Sequence, residues 1–244
     1  MTARRAGDGR TILVVMAHPD DAELTCDGAI ARWVQDGDRA ILAVATSGSP
    51  GVGEMNAVAA AASERRMEEQ RAAAGLVGYE KVIFLGFADG DVREEALLPA
   101  LVELVRTTRP DAVIVMDPTT VIYRDRYINH RDHRALGMAM LDAMYPRASN
   151  AGYYPEQLAR GLTTYKVPEV LLAQSDRPNF WVDVSDSLEQ RFMALRRHRS
   201  QTSLWPDNGE AIVEEQREQA RLAGLRHGVR YAEEYRRILP SPLN

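Results

Sequence analysis

The sequence predicts an α/β fold, doubly wound around a mostly parallel sheet with helices on both faces. Two observations predict it: short β-branched apolar runs alternate with helical patterns, and polar clusters follow the ends of those runs. The first run, TILVVMA (11–17), is continuous rather than alternating, as expected of a strand covered on both faces. RAILAVAT (39–46), KVIFLG (81–86) and DAVIVMD (111–117) read the same way. Helices are expected near 25–36, 56–74, 94–108 and 132–144, with Gly37 and Gly75 as C-terminal stops and Pro110 just past the third. After Pro146 the pattern loosens. Residues 147–166 read as a long connection, VPEVLLAQ and NFWVDVSD as two more strands, and 185–199 and 210–237 as charged helices. No repeat, low-complexity tract or linker divides the chain, so one domain over 1–244 is expected, with 1–10 a flexible N-terminus.

Composition narrows the functions. A formal net charge of −5 gives no basic field to attract nucleic acid or anionic lipid. Cys26 is the sole cysteine, which rules out an intrachain disulfide and a cysteine-based zinc site. The charged start MTARRAGDGR leads into an apolar run that stops at once in HPDD, too short for a signal peptide or membrane span. Cytoplasmic residence is the expectation.

In an open, Rossmann-like sheet the ligand lies beyond the carboxyl ends of the strands, where strand order switches. Four polar clusters fall there: HPDD, SGSPG, FADGD and a stretch ending in NHRDH. Adjacent carboxylates repel, so His18, Asp20 and Asp21 at the mouth of a buried strand point to a bound cation. His130 and His133 are three apart, on one side of a helix's first turn, and Asp132 sits where the helix dipole favours a carboxylate. Three of the five histidines belong to these clusters. Two imidazoles and one carboxylate suit Zn²⁺ and leave a position for water; Fe²⁺ stays open, because the same donors describe a mononuclear iron triad. Neighbouring side chains on an extended segment diverge, so Asp20 and Asp21 cannot serve the ion equally. Singly, HPDD fits a solvated turn and HRDH a polar helix start; their joint placement favours the metal.

These residues carry a resemblance. AHPDD near the N-terminus with HxDH after the fourth strand resembles the PIG-L/LmbE family of zinc-dependent N-deacetylases, which remove acetyl from N-acetylglucosamine in lipid and thiol-precursor conjugates. TSG after the second strand, Arg66 and Glu69 in the next helix, a DG turn at Asp89, and His198, Ser200 and Gln201 extend it over most of 11–201. The resemblance implies His18, Asp21 and His133 as metal ligands, Asp20 as general base, and His130 with Asp132 stabilising the oxyanion and leaving amine. It offers Arg66, Asp89 and Ser47 for the sugar, and Tyr127, with Tyr123 and Trp205, is an aromatic suited to stacking on it. Arg66 reads equally as part of a salt-bridged helix face. Where many members have proline, this chain has Arg131, which changes a charge beside the pocket. Family members are often assembled, so a homo-oligomer is an expectation too.

SGSPGVG (47–53) fits no phosphate-binding loop and reads as a mobile lid. His198 reads as a structural histidine and His227 as a helix-end residue. Three alternatives stand beside deacetylation. A two-metal phosphoesterase would need further carboxylates, for which Asp117 and Asp125 are the candidates. A mononuclear iron oxygenase would use the same triad, although the adjacent Asp argues for hydrolysis. A non-catalytic small-molecule module on the same fold would have no use for HRDH.

Overall fold

β1 (Thr11–Met16) forms the middle of the molecule, pairing in parallel with β2 (Arg39–Pro50) on one side and β4 (Ala112–Met116) on the other. The structure is a computed structural model and describes residues 9–50 and 57–241. Alternate residues of β1 feed two cores. Ile12, Val14 and Met16 join the cluster on one face, Leu13 and Val15 the cluster on the other. That two-sided burial is why the run is apolar throughout.

β3 (Lys81–Asp89) pairs with β2, and the sheet continues beyond β4 through β7 (Val170–Ala173) to β9 (Ala232–Ile238) and β8 (Phe180–Asp183). The order is β3-β2-β1-β4-β7-β9-β8, with β9 antiparallel to both neighbours. The chain runs outward through β1, β2 and β3, then returns to the far side of β1, so the switch in strand order lies between β1 and β4. A separate hairpin, β5 (Ile122–Tyr123) with β6 (Tyr127–Ile128), follows β4.

On one face pack α1 (Asp21–Thr25), α2 (Asp27–Gln35), α3 (Ala57–Val77), α7 (Leu188–Leu195) and α9 (Glu210–His227); on the other lie α4 (Glu94–Thr108) and α5 (Arg131–Asp142). α6 (Pro155–Ala159) lies in the expected connection, and α8 (Arg199–Thr202) follows α7. Arg106 of α4, almost fully buried, organises that connection by donating to the carbonyls of Arg147, Ala148, Asn150, Tyr153 and Tyr154.

Several expectations need correction. The helix expected over 210–237 ends at His227, where Gly228 takes φ +75, and β9 follows. Gly75 lies inside α3, and Gly78 (φ +101) ends the helix instead. The helix expected near 25–36 is α2, and the short α1 precedes it, separated by Cys26. The helical stretch 185–199 is shorter, since α7 stops at Leu195. Residues 47–50, read as part of a lid, continue β2 as far as the Pro50–Asp89 pairing; 51–53 and the N-terminal residues 1–8 lie outside the described residues.

Candidate active site

At the switch point, β1 ends in a tight turn whose carboxylates are turned inward. Asp20 adopts a left-handed backbone (φ 95), and Asp21 opens α1. Asp21 Oδ2 accepts the backbone N–H groups of Ala17 (3.1 Å) and His18 (2.8 Å), fixing that carboxylate beneath the end of β1. After β4, Asn129 and His130 lead into α5, whose first turn presents His133.

Donor atoms of three residues then converge. His18 Nδ1 lies 3.2 Å from His133 Nε2, His133 Nε2 lies 3.2 Å from Asp21 Oδ1, and His18 Nδ1 lies 3.5 Å from Asp21 Oδ2. Ligands ~2.0–2.1 Å from a tetrahedral ion stand ~3.3–3.4 Å apart. Those separations are close to what a divalent cation held by these three residues would need. The partners on the other ring nitrogens agree. His133 Nδ1 faces Asn129 Oδ1 at 3.1 Å, and the Asn129 amide is oriented by donating to the carbonyls of Thr120 (2.8 Å) and Asp117 (3.3 Å). Its oxygen thus accepts the Nδ1 proton, leaving the Nε2 lone pair for a metal. His18 Nε2 lies 3.0 Å from Asp89 Oδ1 and 3.5 Å from Asp132 Oδ2.

The electrostatics also call for a cation. Burial works against a charged His18, yet the neighbouring Asp21 and Asp89 raise its pKa to about 10. Burial likewise opposes ionised Asp21, but His133 and His18 hold it well below the usual carboxylate range. Asp20 differs: burial and then the charge of Asp21 lift it to about 7, although Arg66 pulls it back.

The remaining expected residues spread around this mouth. Arg66 is not on a solvated helix face. It is buried, and donates to the carbonyls of Gly48 (2.7 Å) and Pro19 (2.8 Å) and to Asp20 Oδ2 (3.3 Å). A Cβ on Gly48 (φ +68) would collide with that guanidinium. Asp132 is fully buried and accepts from Gly90 N (2.7 Å), so its carboxylate faces His18 and the Gly90 turn. Its link to His130 is through the backbone, Asp132 N donating to His130 Nδ1 (3.2 Å). That places the proton of His130 on Nε2. Burial, followed by His18 and His133, lowers the pKa of His130, so it is a neutral donor at pH 7. Arg131 donates to Gly90 O (3.1 Å) at the rim.

Tyr127, in β6 just before Asn129 and His130, is half-exposed, and burial followed by the charge of Asp21 raises the pKa of its hydroxyl. Ser47 is half-buried at the same edge and has no hydrogen bond to the cluster among the described residues. Tyr123 is largely buried beside Arg124, and Trp205 packs on the core. His227 ends α9, as expected, and stacks on Trp181. Asp117 is consumed by Thr119 and Ser175, and Asp125 is exposed in the hairpin turn, so neither reaches the cluster.

Asn129, Gln70 and Glu23 were not singled out from the sequence. For Asn129 the usable signal is its place four residues before His133, at the start of the same helix. Replacing it with Leu is expected to weaken metal binding about 10–100-fold, as loss of a ligand's outer partner does elsewhere. Competition with a metal indicator checks this, and unchanged affinity would count against the assigned tautomer.

Comparison with known proteins gives the family. Diacetylchitobiose deacetylase of Thermococcus kodakarensis is 29% identical over 200 residues, which cover 80% of this chain and 71% of that protein. A 1D-myo-inositol 2-acetamido-2-deoxy-alpha-D-glucopyranoside deacetylase of a Mycobacterium species is 28% identical, covering 89% of this chain and 82% of its own. The structure of N,N'-diacetylchitobiose deacetylase from Pyrococcus horikoshii, complexed with its inhibitor, superposes with a TM-score of 0.84 at 27% identity, covering 95% of this chain and 85% of that one. The sequence pattern of GlcNAc-PI de-N-acetylase matches residues 13–144, more than half of the chain, and spans both histidine clusters and the strands that present them. The chain therefore belongs to the PIG-L family.

Proposed function

We propose that this protein is a metal-dependent hydrolase that removes the N-acetyl group from an N-acetylglucosamine-type sugar conjugate. The observation that carries this is the three-donor cluster of His18, Asp21 and His133 with a fourth group, Asp20, held beside it and kept off the ligand set. The named activities of the similar deacetylases supply the substrate class. Zn²⁺ is the proposed ion, because its donors and spacing match.

When bound, such an ion polarises the acetyl carbonyl and lowers the pKa of a water from ~16 towards ~7. Asp20 is the general base: its carboxyl, lifted towards neutrality, takes the proton of the attacking water. His130 is neutral with its proton on Nε2 and donates to the developing oxyanion, a contribution of about 3 kcal/mol for one such donor. Asp132 holds the Gly90 turn and faces His18, so its part is to shape the mouth. The proton taken by Asp20 passes to the leaving amine. Asp89 and Tyr127 line the opening and are proposed to meet the sugar. Arg66, whose terminal nitrogens already donate to Gly48, Pro19 and Asp20, acts on the base more directly than on substrate.

Metal binding displaces the proton of His18. That group is protonated below about pH 10 in the metal-free chain, so affinity should rise with pH, by about tenfold per unit between pH 6 and 9. Calorimetry in buffers of different ionisation enthalpy should find about one proton released per metal at pH 7.5.

The phosphoesterase alternative needs carboxylates that Asp117 and Asp125 do not supply. No helix among the described residues is long and apolar enough to cross a membrane. Cytoplasmic residence remains part of the proposal, supported by the single, buried Cys26. The test is incubation of zinc-reconstituted protein with N,N'-diacetylchitobiose and with N-acetylglucosaminyl-inositol, measuring acetate and free amine. Equal amounts of both products are expected from at least one. Release of neither would overturn the reading.

A further inference from the structure

Behind the mouth lies a buried polar cluster that the reaction does not touch. Asp20 N donates to Gln70 Oε1 (3.0 Å), Gln70 Nε2 donates to Glu23 Oε1 (2.7 Å), and His198 Nε2 lies 3.3 Å from that same oxygen. Gln70, Glu23 and His198 are completely buried, and Glu23 Oε2 and both His198 ring nitrogens have no hydrogen-bond partner among the described residues. A cluster with unsatisfied atoms at this depth costs stability, and a well-packed apolar replacement would not. The same helix, α3, brings Arg66 to Asp20 from one turn away, while Glu69 accepts from Ser200 N (2.9 Å) and Ser200 Oγ (2.6 Å). The Arg66–Gln70 segment and the His198–Ser200 segment thus form one bracket, anchored to α1 through Glu23.

The part of the site that needs a bracket is Asp20. Its φ of 95° is a left-handed conformation that is unfavourable for a non-glycine residue. Released from it, the backbone would relax and swing the carboxylate away from the donors of Asp21. Gln70 accepts the Asp20 N–H in this conformation, and Glu23, accepting from Gln70 Nε2, fixes the orientation of the amide.

We infer that Gln70, oriented by the buried Glu23, is the positioning residue that holds Asp20 in its left-handed backbone and so aims the general base. This rests on the proposed role of Asp20. Gln70→Met should lower kcat about 10–100-fold, with KM and metal per chain unchanged, as expected for a misaimed reacting group. Gln70→Glu should be impaired, because it leaves facing carboxylates, whereas Glu23→Gln keeps an acceptor oxygen for Gln70 Nε2 and should stay near wild type. The double variant Gln70→Glu/Glu23→Gln reverses the polarity of the link, conserves charge and restores both hydrogen bonds. It should recover wild-type kcat to within about threefold, a coupling that a merely structural role would not produce. Wild-type kcat in Gln70→Met, or a double variant no better than Gln70→Glu, would overturn the inference. A crystal structure of Gln70→Met tests the backbone claim without any activity: Asp20 should leave the left-handed region, and an unchanged Asp20 would refute it. Absence of amine release by the wild type would count against the proposed function alone.

Discussion

Asp20→Asn is expected to lower kcat by about 10³-fold, within the range general bases supply, while metal content stays at the wild-type level. The substitution is nearly isosteric and keeps the Asp20 N–H bond to Gln70 and a polar group facing Arg66. It removes only the proton acceptor. Asp21, which meets His18 and His133, is untouched, so the three-donor cluster survives. The expected signature is a collapsed kcat with little change in KM. A parallel loss of metal would mean that Asp20 is a ligand rather than a base.

The second large effect is on stability. Arg191 of α7 is almost fully buried and donates to the carbonyls of Glu23 (2.6 Å) and Leu24 (2.6 Å), to Gln216 (2.8 Å) and to Glu233 Oε1 (3.0 Å). Glu233, on β9, also accepts the N–H groups of Gly28 and Ala29 at the start of α2 and the hydroxyl of Tyr235. This pair therefore ties the C-terminal third of the chain to the helices that follow HPDD. Arg191→Met leaves the Glu233 carboxylate without its counter-charge and should cost about 3–5 kcal/mol, a fall in Tm of about 10 °C or more for a chain of this size. Adding Glu233→Gln should recover part of the loss, since the two residues are coupled. Thermal unfolding of both variants measures it, and strictly additive losses would show that the pair does not act as a unit.

The same network shows where the sequence stops being readable. The run TILVVM announces a doubly covered strand because every residue from Ile12 to Met16 faces a core, and HPDD and NHRDH announce a site because they place at strand ends groups a core cannot hold. Local chemistry is enough for both. β9, with sequence AEEYRRI, carries no such mark. Four of its seven residues are charged, and one of them, Glu233, is buried because α2 begins more than 200 residues earlier with two free N–H groups. Only the fold brings them together. Gly75 and Gly78 are both plausible helix stops by type; the second ends α3 because it takes the positive φ there. The ligand set and base are legible as residue types on one sheet edge. Asn129, Gln70 and Glu23 are not, since their roles depend on which group lies opposite.

The central claim is that His18, Asp21 and His133 hold one catalytic ion. Elemental analysis of the zinc-reconstituted wild type and of Asp21→Ala, with acetate release measured on the same samples, tests it most directly. The account predicts about one zinc per chain and acetate release in the wild type, with both lost in Asp21→Ala. Two ions per wild-type chain, or an Asp21→Ala protein that keeps its zinc and its activity, would contradict it.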